Sequence, residues 1–195
     1  MKVFEPRLVQ YIRMITMDYR LIELCRVGDS SAIENFVQTY QQDVYRLALS
    51  ILDDPSEADD ATQESLLAAL RALGSFHGDS SLKTWLYSIT VNVCRNRIQR
   101  HRRHERLTRI LGEILRVQSS PSVEEDAIQN ASNEALWRVI RSMDEKHRIP
   151  VVLRYYHDLS VAEIAHILQV PEGTVHSRLN TARRQLHHVL KEGRL

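Results

Sequence analysis

Apolar residues recur at steps of three and four along almost the whole chain, and runs of β-branched residues alternating at a step of two are missing. That periodicity predicts an all-α protein. Proline and glycine, the usual punctuation, are sparse at five and six residues. Where they and the capping residues fall, they mark two compact helical units. The first runs from Met17 to Arg103, with helices expected near Tyr19 to Val27, Ser31 to Leu52, Ser56 to Leu73 and Ser81 to Arg103. The second spans Ser122 to Leu195. Between them, His104 to Pro121 carries an apolar patch of Leu107, Ile110, Leu111, Ile114 and Leu115 before a Ser119-Ser120-Pro121 breaker, the composition of a linker with room for one helix. Residues 1–16 precede a second methionine, Met17, and read as an extension. Pro150 falls inside a helix that Asp144 would cap, where a kink is expected.

The segment Leu159 to Leu186 carries the sharpest signal. Ser160 followed by Glu163 has capping-box spacing, and Ile164, Ile167 and Leu168 supply the buried stripe of a short helix. Gln169, Val170 and Pro171 break it, with Pro171 suited to the first turn of the next helix. On that second helix Val175, Leu179, Ala182, Leu186 and Val189 share one side. Ser177, Asn180, Thr181 and Arg184 lie opposite, flanked by His176 and Arg183 on one edge and Arg178 on the other. A helix-turn-helix with amides and hydroxyls between cations is equipped to read a major groove and hold phosphates. An ordinary helical hairpin with a solvated face has the same pattern, so the segment alone does not decide between them.

In the first unit, the helix expected to be capped by Ser56 presents Asp60, Gln63, Glu64, Leu67 and Arg71 on one face and turns Leu66, Ala69, Leu70 and Leu73 inward. A leucine among carboxylates suggests a partner surface, although a solvated acidic helix with one stray apolar residue is the plainer reading. Further on, a polar loop with Gly78 leads into a helix whose Ser88, Asn92, Arg95, Asn96 and Gln99 share a face. Leu86, Tyr87, Ile89, Val91, Val93 and Ile98 fill the rest. Amides for base edges and arginines for phosphates are the materials for single-stranded DNA. Trp85 and Tyr87 read as core aromatics.

Composition narrows the classes. The 195 residues are 43% hydrophobic, enough for cores, and the net charge of +1 conceals segregation. Acidic residues gather at Asp53 to Glu64 and Glu124 to Asp126, whereas Arg95 to Arg109 is basic. Two cysteines, Cys25 and Cys94, without CxxC spacing give no disulfide framework and fit a reducing cytoplasm. No apolar run approaches the ~20 residues of a membrane span. No nucleophile elbow, Walker loop, HExxH or Gly-rich dinucleotide fingerprint appears, and no cofactor is expected. Cys94, His101 and His104 lack a convincing fourth ligand and lie in a basic tract that repels cations.

EADDATQESLLAAL at 57–70, SFHGDSSLKTWLYSITVN at 75–92 and LSVAEIAHILQVPEGTVHSRL at 159–179, in that order, resemble the extracytoplasmic-function (ECF, group 4) sigma factors of the sigma-70 family. The resemblance implies a sigma-2-like helical bundle and a sigma-4-like helix-turn-helix domain. It implies docking on core RNA polymerase through Asp60, Gln63, Glu64 and Leu67, and capture of a flipped base of the melted minus-10 element by Phe76 and Asn92. Ser88, Arg95, Asn96 and Gln99 would track the strand. It further implies duplex minus-35 contacts from Thr174, His176, Ser177, Arg178, Asn180, Thr181, Arg183 and Arg184, and inhibition by an anti-sigma factor. The family usually carries Lys or Arg where His176 stands and often an arginine where Thr181 or Ser88 stands, so phosphate contact at these positions should differ. The expected protein is not an enzyme, and its minus-10 and minus-35 contacts assist promoter melting and recognition. A stand-alone helix-turn-helix regulator is the alternative, and a metal-dependent enzyme using the scattered histidines a more distant one.

Overall fold

A computed structural model describes residues 19–115 and 131–191. Among the described residues there are eight α-helices, a short 3-10 turn and no strand. They are α1 (residues 19–26), α2 (Ser30–Leu52), α3 (Pro55–Ala72), α4 (Leu82–Leu115), α5 (Ala131–Ser142), α6 (Glu145–Tyr155), α7 (Val161–Leu168) and α8 (Glu172–Lys191), with the 3-10 turn at Leu73–Ser75. The all-α fold expected from the three-four periodicity is the fold observed.

The chain divides into two compact units, with the break inside α4 between Val93 and Cys94 and with His166–Gln169 grouped with the first. In the first, α2 packs against α3. Phe36, Tyr40 and Val44 of α2, Leu66 and Ala69 of α3, and Leu82 and Leu86 of α4 form one buried cluster with Ile22 and Cys25 of α1. Phe36 and Val44 are wholly enclosed, and truncating a ring in such a place typically costs 3–5 kcal/mol, about half the stability of a small domain. Lys83 ties α4 to α2 by an ion pair with Asp43 at 2.6 Å while lying over the Tyr87 ring. Both cysteines are buried, and neither is in a disulfide among the described residues. In the second unit α6 packs on α8, and Ile149, Val152 and Leu153 of α6 are buried, as are Val175, Leu179 and Ala182 of α8.

Helix starts obey local hydrogen bonding. Asp29 caps α2 by accepting from the Ala32 N–H at 2.8 Å. The cap of α3 is Asp54 rather than Ser56: its carboxylate accepts from the Glu57 N–H at 2.8 Å, and Pro55 fills the first turn, where no N–H is required. Ser81 caps α4 by accepting from the Thr84 N–H at 3.0 Å. The capping box at α7 forms: the Ser160 N–H donates to Glu163 Oε2 at 2.8 Å and the Glu163 N–H to Ser160 Oγ at 3.2 Å. At α8, Pro171 stands one place earlier than expected, as the residue whose carbonyl accepts from Thr174 and Val175. Asp144 starts α6 with its carbonyl, which accepts from His147 and Arg148, while its side chain makes no capping bond.

One larger difference concerns continuity. The helix expected to end at Arg103 runs on to Leu115, because a stretch rich in Arg, Leu and Glu with no proline has no reason to stop. Pro150 lies inside α6 as expected, buried in the middle of the helix with Ile149 and Val151. The extension at 1–16 and the Ser119-Ser120-Pro121 breaker lie outside the described residues.

Candidate polymerase and DNA interfaces

The face of α3 expected to meet a partner is formed by exposed Asp60 and Gln63 and half-buried Glu64, with Leu67 53% exposed beside them. Helical geometry dictates this: Ala58, Ala61, Thr62, Ser65, Leu66 and Ala69 occupy the other side and are buried. The buried hydroxyls are not stranded, since Thr62 donates to the Ala58 carbonyl and Ser65 to that of Ala61.

On α4, Asn92, Asn96 and Gln99 stand on one side, with Asn92 exposed, while Leu86, Tyr87, Val91 and Val93 are buried. Ser88 is half-buried and donates to the Trp85 carbonyl at 2.6 Å, so its hydroxyl is committed to the helix. Arg95 is half-buried within the second unit, paired with Glu145 at 3.3 Å, and Arg102 reaches the same carboxylate at 3.8 Å. Burial pushes the Arg95 guanidinium below its ordinary value and Glu145 pulls it back up. Phe76 stands apart from the other expected strand contacts. It is 7% exposed, with its ring 5.3 Å from that of Trp85, so it anchors the loop while His77, Gly78 and Asp79 are the exposed part.

The helix-turn-helix places its residues as the pattern requires. Gln169 adopts a left-handed conformation (φ 53°), and the Val170 N–H closes the turn on the Ala165 carbonyl at 3.1 Å. On α8, His176, Ser177, Asn180, Arg183 and Arg184 are exposed, and Thr174, Arg178 and Thr181 are half-buried. Thr181 donates to the Ser177 carbonyl at 3.1 Å and accepts from Arg184 Nη2 at 3.5 Å, which leaves its methyl group and one oxygen lone pair for a base edge.

Three residues join the site that sequence reasoning missed: Tyr155, His187 and His188. Tyr155, at the end of α6, accepts from Arg183 Nε at 2.9 Å and Nη2 at 2.6 Å, which fixes the guanidinium plane. His187 and His188 line a shallow concavity with Arg183 and Arg184. The histidines lay within reach of sequence reasoning, because they continue the Arg183 and Arg184 stripe by one turn, whereas Tyr155 is brought to Arg183 only by the packing of α6 on α8. Among the described residues no group of three His, Cys, Asp or Glu side chains converges as a metal site. No helix among them is long and apolar enough to cross a membrane.

An amide stripe along α4 after a glycine loop, and a cation-edged helix-turn-helix, together define a modular DNA-binding protein. Residues 36–104 match the Sigma-70 region 2 family and residues 133–186 the Sigma-70, region 4 family. The RNA polymerase sigma-H factor of Pseudomonas aeruginosa is 30% identical over 181 residues, 89% of this chain and 94% of that protein. The ECF sigma-E factor of Escherichia coli is 33% identical over 175 residues, 85% of this chain and 90% of that one. The fold is similar to that of CnrH solved with the cytosolic domain of CnrY (TM-score 0.61, 23% identity, 88% of this chain and 96% of that one). It is also similar to that of the sigma factor RpoE solved with the anti-sigma factor NepR from Bartonella quintana (TM-score 0.57, 21% identity, 81% and 96%). The chain belongs to the ECF sigma factors of the sigma-70 family. It is a transcription initiation factor that directs RNA polymerase to promoters.

Proposed function

We propose that the labour is divided residue by residue between the two units. The α3 face of Asp60, Gln63, Glu64 and Leu67 docks on core polymerase. The exposed loop after Phe76 and the Asn92, Asn96, Gln99 stripe of α4 take the melted minus-10 strand, while Arg95 is held by Glu145 beside the stripe. The α8 face reads the duplex minus-35 element through His176, Ser177, Asn180 and Thr181, while Thr174, Arg178, Arg183 and Arg184 hold phosphates. The observation that carries this reading is the sidedness of α8, which buries Val175, Leu179 and Ala182 and turns the hydrogen-bonding and cationic residues between them outward.

The burial of Phe76 supports assigning its ring to holding the loop and the base pocket to the residues after it, with Asn92. The protein supplies binding energy and no covalent chemistry, which belongs to the polymerase. It acts in the cytoplasm, where its template is. The solved relatives bound to CnrY and NepR support a proteinaceous inhibitor of this chain as well.

The deciding experiment is transcription in vitro with sigma-free core polymerase, this protein and fragments from upstream regions of its own genome. New start sites sharing two spaced elements are the expected result. Absence of initiation together with tight DNA binding by the protein alone would overturn the reading in favour of a stand-alone regulator.

A further inference from the structure

We propose that α1 is a positioning element for the base-capture loop, with Arg26 setting the loop's entry and Tyr19 its apex, so that minus-10 base discrimination depends on residues that touch no DNA. The proposal rests on the assignment of the loop at residues 76–81 to base capture. The segment involved precedes the matched sigma-70 region 2, which begins at residue 36.

Three separate contacts pin the loop. At its entry, Arg26 Nε and Nη2 donate to the Leu73 carbonyl at 3.1 and 2.9 Å, and Nη2 donates also to the Phe76 carbonyl at 2.9 Å. These two carbonyls bracket the 3-10 turn that delivers the chain from α3 into the loop. The Leu73 carbonyl also accepts from the Phe76 N–H at 3.1 Å across the turn, and a guanidinium fork can span it and the Phe76 carbonyl where an ammonium cannot. Glu23, one turn earlier on α1, pairs with Arg26 Nη1 at 2.5 Å and keeps the fork aimed.

At the apex, Gly78 has φ +83°, and the Tyr19 hydroxyl lies so close that any Cβ at Gly78 would collide with it. At the exit, Ser81 caps α4 through the Thr84 N–H and its hydroxyl also meets the Thr84 hydroxyl at 2.8 Å. Entry and apex are thus set by α1, and exit by α4. Below them, Phe76 anchors the loop in the same buried cluster that holds Ile22 and Cys25 of α1.

A rigid frame matters here because a pocket discriminates between bases only while its walls hold their positions. Displacements near 1 Å at a positioned group can cost as much as a hundredfold in rate. Loosening α1 from the loop should therefore lower discrimination before it lowers binding of the polymerase, whose proposed surface lies on α3.

The test uses holoenzyme assembled from core polymerase and full-length variants, on promoters carrying single-base substitutions across the minus-10 element. Strand opening is monitored by permanganate reactivity. Arg26→Lys and Tyr19→Ala are each expected to reduce the ratio of opening on the native to the substituted element roughly tenfold. Core binding, minus-35 dependence and melting temperature should stay at wild-type values. Arg26→Lys keeps the charge and most of the stem, and Tyr19→Ala removes a 47% exposed ring, so neither should unfold the chain.

An unchanged discrimination ratio in both variants overturns the proposal. So does a loss of opening that is uniform across all templates, which a merely structural role would produce. His77→Ala and Asp79→Ala separate the two layers of the argument. If they lower discrimination while the α1 variants do not, the loop captures the base and α1 plays no part. If they too leave it unchanged, base capture by this loop fails, and the proposal with it.

Discussion

At Tyr155, one phenolic oxygen accepts two hydrogen bonds from Arg183 while the guanidinium lies 5.9 Å from the ring centroid. A long cationic side chain otherwise samples many rotamers, so fixing it in advance lowers the entropic cost of meeting a phosphate. We predict that Tyr155→Phe weakens minus-35 binding by the holoenzyme and lowers the slope of log affinity against log salt by about one, as loss of a single phosphate contact should. The same slope in Tyr155→Phe and wild type would assign Arg183 to the protein surface alone. His147 titrates in the opposite sense to a paired histidine. Burial lowers its pKa, the Lys146 and Arg178 charges add to that, and Asp144 opposes it. Its Nδ1 is buried without a hydrogen-bond partner among the described residues. The folded state prefers the neutral ring, so the unfolded state binds the extra proton, and stability falls as pH drops below about 6.5 towards the folded value. Melting temperatures between pH 7.5 and 5 should fall less steeply in His147→Gln than in wild type.

Among the elements, α7 has only 8 residues and cannot persist without its cap and its packing. Ser160 and Glu163 satisfy each other's backbone donors, and Arg154 Nη1 donates to the Leu159 carbonyl at 2.7 Å just before them. Removing the hydroxyl in Ser160→Ala is expected to cost about 1 kcal/mol of unfolding free energy in urea titration. A cost indistinguishable from zero would mean that Glu163 alone supports the helix start. The pair is legible in sequence because a cap is a local device set by spacing. The cap of α3 is harder to read, since DDPSEADD offers several acceptors in a row, and only the path of the chain selects Asp54 over Ser56. For α4 the apolar stripe locates the helix, but the sequence supplies no stop signal at Arg103, and the helix continues to Leu115.

On the scale of the whole molecule, the proposed polymerase surface and the proposed DNA surfaces lie on different helices, so they should fail separately. Asp60→Arg reverses a charge on the exposed α3 face and is expected to abolish co-elution with core polymerase while leaving the melting temperature unchanged. Asn92→Ala, on exposed ground of α4, should spare co-elution and impair promoter opening by permanganate footprinting. Loss of both functions in either variant would show that the surfaces are not independent. Each small unit alone is expected to bind DNA weakly, because only a polymerase that holds both raises the effective concentration of each at its element.

The amino-acid sequence by itself determined the all-α class, the helix-turn-helix, and the inward and outward faces of α3, α4 and α8, because these arise from periodicity and spacing within single elements, and its three ordered motifs carried the resemblance to the family. Leu67 is a case in point, since helical geometry alone turns it out of the core. Tertiary structure decided which side chains are already spoken for. Phe76 is drawn into the core against Trp85, Ser88 is bonded to its own helix, Tyr155 meets Arg183 across 28 residues and Arg26 meets the Phe76 carbonyl across 50. Contacts between residues so far apart in the chain exist only once α1 is folded against the loop and α6 against α8, and no local pattern encodes them.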